Sequence, residues 1–171
     1  MRVYIPATPA DLSSCLAGAW EPRAGFAVTE RLLEVSSLDD SDLLDEQARD
    51  AAALASVADL GSSRRVVIVA DCPRSQVTLA PQRHPAAVEL SGKVSRDEIA
   101  CAFVDEDDAA EDAAAAAKGD AAALDRLYER DTVSPSRNRR SVTAPPGSPG
   151  TAGRAIVVDL PPHRKAKQRN P

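Results

Sequence analysis

The stretch RRVVIVADCP, residues 64–73, decides how this chain folds. Five apolar residues run unbroken from Val66 to Ala70, and four of the five are β-branched. Five residues are too few for a stable helix, and β-branched side chains suit a pleated strand. The stretch therefore reads as a central strand, and the other elements are placed around it.

Toward the N-terminus, RVYIPA (2–7) is a first strand, with Val3 and Ile5 facing one way and Tyr4 the other. TPADLSSCLAGA follows as a helix: Thr8 is the N-cap, Pro9 takes the first helical position and Asp11 completes a capping box. Leu12, Cys15, Leu16 and Ala19 then share an expected apolar face. GFAVTE is a short extended segment. A second cap pattern, SLDD from Ser37, opens a longer helix through about Leu60, with Leu44, Ala48, Ala51, Leu54 and Ala58 along one side and Gly61 ending it.

Toward the C-terminus, SQVTLAPQRHP is a loop with a short extended piece, and AAVELSGKVS is a strand turning at Gly92. EIACAFVDE supplies the last strand, Ile99 to Val104. A closing helix from about Asp107 to Arg130 is Ala-rich, and Gly119 is expected to break it in two. The order β-α-β-α-β-β-β-α predicts an α+β fold, a two-layer sandwich of a mixed sheet with helices mainly on one face.

Charge divides the chain. Residues 1–131 carry a net −12 and residues 132–171 a net +7, with seven of the 13 prolines in the second part. The reading is an α+β domain over 1–131 and a basic, Pro/Ser/Arg-rich disordered tail over 132–171. Within the tail, RAIVVDL (154–160) is an apolar island suited to adding a strand to a sheet edge or to being read by a partner. The basic residues can hold nucleic acid through phosphates, yet no aromatic lies beyond Tyr128 to stack on bases, so this is the less favoured partner. Three cysteines without a C-x-x-C pair, and an N-terminus without a long apolar stretch, point to the cytoplasm. No apolar run approaches the ~20 residues of a membrane span.

The pieces MRVYIPAT, GFAVTE, RRVVIVADCP and EIACAFVDEDDA resemble an uncharacterised family of small actinobacterial proteins, a domain of unknown function. The resemblance covers roughly residues 1–131 and implies a small cytoplasmic protein, with no activity, cofactor or site residue to carry over. Chains of that family continue with an acidic segment containing a WY pair. Here the chain turns basic after LYERD, a composition that an out-of-frame reading of a GC-rich gene would give; the whole-chain ratio of 17 Arg to four Lys suggests a GC-rich genome.

One motif invites a catalytic reading. FVDEDDA ends a strand in D-x-D, so Asp105 could serve as nucleophile and Asp107 as acid/base with magnesium, as in haloacid-dehalogenase-like phosphatases. Ala109 stands where those enzymes carry Thr or Val, and Lys118 is the lone later lysine before residue 132. A calcium loop fails too, with Ala110 and Ala116 at its Gly and Glu positions. Asp105, Glu106, Asp107, Asp108, Glu111 and Asp112 instead suit a helix N-terminus. Cys72, beside Asp71, reads as an unreactive thiol, and His84 as a surface histidine. Arg64, Arg65 and Arg2 read as solvated strand ends rather than a basic patch. GSPGTAG (147–153) lacks the Lys and helix of a phosphate loop.

No catalytic, cofactor-binding or metal-ligating residue is assigned, and no cofactor is expected. The sequence thus predicts a protein of unknown function, non-catalytic, that binds a protein partner. An enzyme with an acidic site near Asp105 and a tail that binds nucleic acid are the alternatives.

Overall fold

A computed structural model describes residues 1–18, 20–37, 40–105, 109–132 and 156–158, the backbone alone for 130–132 and 156–158. The elements are β1 (Arg2–Ala7), α1 (Pro9–Leu16), β2 (Ala24–Phe26), α2 (Glu30–Val35), α3 (Ser41–Ala58), β3 (Val66–Asp71), β4 (Val77–Leu79), β5 (Ala87–Leu90), β6 (Ile99–Val104), α4 (Ala110–Ala116), α5 (Ala121–Thr132) and β7 (Ile156–Val158).

The strands form one sheet in the order β4-β5-β2-β1-β3-β6-β7. The α+β class holds, but the sheet is antiparallel throughout rather than mixed. The reason is topological. β2 and β3 run the same way and are joined by the α2–α3 crossover, yet β1 lies between them and opposes both.

Strand alternation divides the apolar residues between two faces. Val3, Ile5 and Ala7 of β1 join Val66, Ile68 and Ala70 of β3 on one face, closed by Cys15 of α1, Trp20, Val88 and Val94. Tyr4, Val67 and Val69 occupy the other, beneath Leu32 of α2 and Leu44, Ala48 and Ala52 of α3. A third cluster of Val57, Ala113, Ala116, Ala123 and Leu127 packs α4 and α5 against the end of α3. Gly25 marks a close approach within the sheet: a Cβ there would come 2.5 Å from Val3 Cγ1.

Local chemistry explains the helix ends. Asp11 N–H donates to Thr8 Oγ1 at 3.3 Å while Thr8 N–H donates to Asp11 Oδ2 at 2.8 Å, the expected capping box. α2 was missed by periodicity because six residues hold less than two turns; Thr29 caps it by accepting from Leu32 N–H at 3.0 Å. The next helix starts at Ser41, with Asp40 rather than Ser37 as its cap, accepting from Asp42 N–H. Its buried stripe is Leu44, Ala48, Ala52 and Ala55, so Ala51 and Ala58 are displaced from the expected face. Leu16 likewise turns outward at the end of α1, 42 % exposed. Gly119 adopts φ +93° and separates α4 from α5, as expected, and Asp120 caps the second helix. Among the described residues no helix is long and apolar enough to cross a membrane.

Candidate functional site

Asp105 is where the sequence raised the question of chemistry. Arg65 leads into β3 and Asp105 follows β6, so antiparallel pairing brings together residues 40 apart in sequence. Arg65 Nε donates to Asp105 Oδ2 at 2.5 Å, and Arg65 Nη1 donates to the Leu127 carbonyl of α5 at 3.2 Å. Both side chains are nearly out of solvent, 8 % and 12 % exposed. The expected solvated strand end is therefore corrected at Arg65: its guanidinium is a buried clamp between β3, the end of β6 and α5. Asp105 likewise serves this clamp and precedes the helix, so the helix-start reading applies to Glu111 and Asp112 in the first turn of α4. Glu106, Asp107 and Asp108 lie outside the described residues.

Arg2 does not join Arg65 in a basic patch. The β1–β3 register sets Arg2 opposite Asp71 at one end of the pair and Ala7 opposite Val66 at the other. Arg2 meets Asp71 through two 3.2 Å hydrogen bonds in solvent.

Cys72 is buried in the core beside the sheet. Burial first, then the Glu98 and Asp71 carboxylates, push its thiol upward, and burial pushes Cys15 up to about 11. Both are protonated at neutral pH and are poor nucleophiles. His84 departs from the surface reading. It is half-buried, its Nδ1 accepts from Ala86 N–H at 3.1 Å, and its ring meets Phe26 edge-on at 5.6 Å. Burial lowers its pKa, so the ring is held neutral as the acceptor that shapes the turn into β5.

A groove not anticipated from the sequence lies between α3 and the sheet. Tyr4, Asp42, Asp45, Glu46, Arg49 and Phe103 line about 230 Å³. Asp42, Asp45, Glu46 and Arg49 share one face of α3 at the 3,4 spacing, and that pattern was the available clue. Burial, with Asp45 accepting from its hydroxyl, pushes Tyr4 well above the usual phenol range. The Arg49 guanidinium lies 5.4 Å from the Phe103 ring centroid and 3.2 Å from Asp50. These contacts tie α3 to β1 and β6 through polar groups at its rim. Among the described residues no group of three or more His, Cys, Asp and Glu could hold a metal ion.

The remaining feature is an edge. β6 pairs on its inner side with β3 and on its outer side with β7, in the register Ala102 with Val158, Phe103 with Val157 and Val104 with Ile156. The apolar island noted at 154–160 thus contributes a strand; the rest of the tail, GSPGTAG and the basic cluster included, lies outside the described residues. At the opposite margin β4 pairs with β5, and Leu79 is 52 % exposed.

No curated protein and no solved structure matches the chain. Residues 1–135, from β1 through α5 but stopping short of β7, match the family of unknown function DUF6912. The chain belongs to that family.

Proposed function

We propose that this chain is a non-catalytic protein-interaction domain that takes an extended segment of its partner onto the outer edge of β6. What supports the reading is the pairing of that edge with residues 156–158, which lie beyond the span shared with the family. Among the described residues, β6 is the last strand on its side of the sheet once those three are set aside. An edge strand presents N–H and C=O groups that pair readily with another chain, and strand addition is a recurrent mode of peptide recognition. The end of α5 at Thr132 and the reversal of charge beyond residue 131 support a domain boundary near Asp131. The cysteine usage and the opening octapeptide support a cytoplasmic protein of actinobacterial type.

Photo-crosslinking tests the reading. A crosslinking residue at exposed Ala100 on β6 is compared in cells with one at Leu79 on β4. We expect a protein partner to be captured from position 100 and not from position 79. Capture only from 79, or only of nucleic acid through residues 132–171, overturns it.

A further inference from the structure

We infer that Ile156–Val158 is a built-in competitor, a strand of the same chain that closes the β6 edge until a partner strand displaces it. The inference rests on the reading of β6 as the binding edge and adds how that edge is regulated and what it accepts.

Three observations carry it. First, among the described residues β7 pairs with three residues, Ala102 to Val104, of a six-residue strand. The β3–β6 register slips at Ala100, between the Val69–Cys101 and Ala70–Ile99 pairs. Among the described residues β7 thus covers three of the four positions of the regular edge, Cys101 to Val104. A pairing over three backbone positions contributes few hydrogen bonds, so it is easily exchanged for a partner that pairs over a longer stretch.

Second, β7 is tethered. Twenty-three residues separate the end of α5 at Thr132 from Ile156. A segment on a tether of this order competes at an effective concentration of roughly millimolar, which lets even a weak strand occupy the edge much of the time. Apparent affinity for a partner falls by the fraction of chains with the edge open. If β7 is seated in about nine chains in ten, a partner binds about tenfold more weakly than to the open edge.

Third, the occupant states the chemistry of the partner. Ile156, Val157 and Val158 are all β-branched and apolar, and they run antiparallel to β6. Backbone pairing is indifferent to sequence, so selectivity comes from side chains that fit a pleated surface. The partner is thus an extended, β-branched apolar segment that pairs antiparallel to β6 and registers a residue opposite Phe103.

The test uses the full chain and a labelled synthetic peptide of residues 153–161, the segment that includes β7. Val157→Pro removes a backbone donor and fixes φ at the residue registered with Phe103. Val157→Asp is a second variant that keeps the donor but is a poor strand former. Fluorescence anisotropy is expected to show both variants binding the peptide about tenfold more tightly than the unaltered chain. Equal binding by all three chains overturns the competitor while leaving β6 as the binding edge. No binding by any chain up to millimolar peptide overturns the edge reading and the competitor with it. An unaltered chain that is dimeric, with variants that are monomeric, overturns the competitor in favour of strand exchange between copies.

Discussion

Arg65→Met is expected to lower folding stability by about 3–5 kcal/mol, the range for removing one partner of a buried ion pair. The size follows from position. The Arg65 and Asp105 side chains are 8 % and 12 % exposed, so the substitution leaves the Asp105 carboxylate with little water and without its charged neighbour. It also strips the donor from the Leu127 carbonyl and loosens the hold of the sheet on α5. Urea denaturation measures the change. The double variant Arg65→Met with Asp105→Leu is expected to recover much of the loss, because the Asp105 charge is removed together with its partner. A single variant within 0.5 kcal/mol of the unaltered chain would show that the clamp does not hold the fold. The same series bears on the phosphatase-like reading of Asp105: a carboxylate kept for chemistry is expected to lower an activity when replaced, whereas one kept for the clamp lowers stability first.

The second large effect is expected at Leu127. Leu127→Ala should destabilise the chain by about 2–5 kcal/mol, the usual range for truncating a buried leucine. Leu127 is fully buried, 0 % exposed, against Val57, Ala113, Ala116 and Ala123. Those neighbours are mostly alanines, whose short side chains cannot swing into the vacated volume, so a cavity remains. Cooperative unfolding with a single transition would place α5 in the same folding unit as the sheet. A loss below 0.5 kcal/mol, or a separate early transition, would place α5 outside it.

Much of this fold could be read from the sequence where local chemistry determines the outcome. The β-branched run at Val66–Ala70 is the sheet's buried third strand, and Thr8, Pro9 and Asp11 cap α1 as their identities require. What escaped depends on contacts between distant residues. Antiparallel pairing throughout could not be read, because nothing local states that β1 inserts between β2 and β3. Arg65 looked like a solvated strand end because its partners are Asp105 and the carbonyl of Leu127. The groove draws Tyr4 from β1, Phe103 from β6 and the Asp42–Asp45–Glu46–Arg49 face from α3, so only the last part leaves a pattern. The island at 154–160 was recognisable as a strand in search of an edge, but which edge it takes follows from the topology alone.

The central claim is that the outer edge of β6 is a strand-binding surface held by residues 156–158. Amide hydrogen exchange over Ala102–Val104, measured on the full chain and on Val157→Pro under identical conditions, tests it most directly. The account predicts slow exchange there in the unaltered chain, selectively accelerated by the substitution, with β1 and β3 unchanged. Exchange over Ala102–Val104 that is the same in both chains would contradict it.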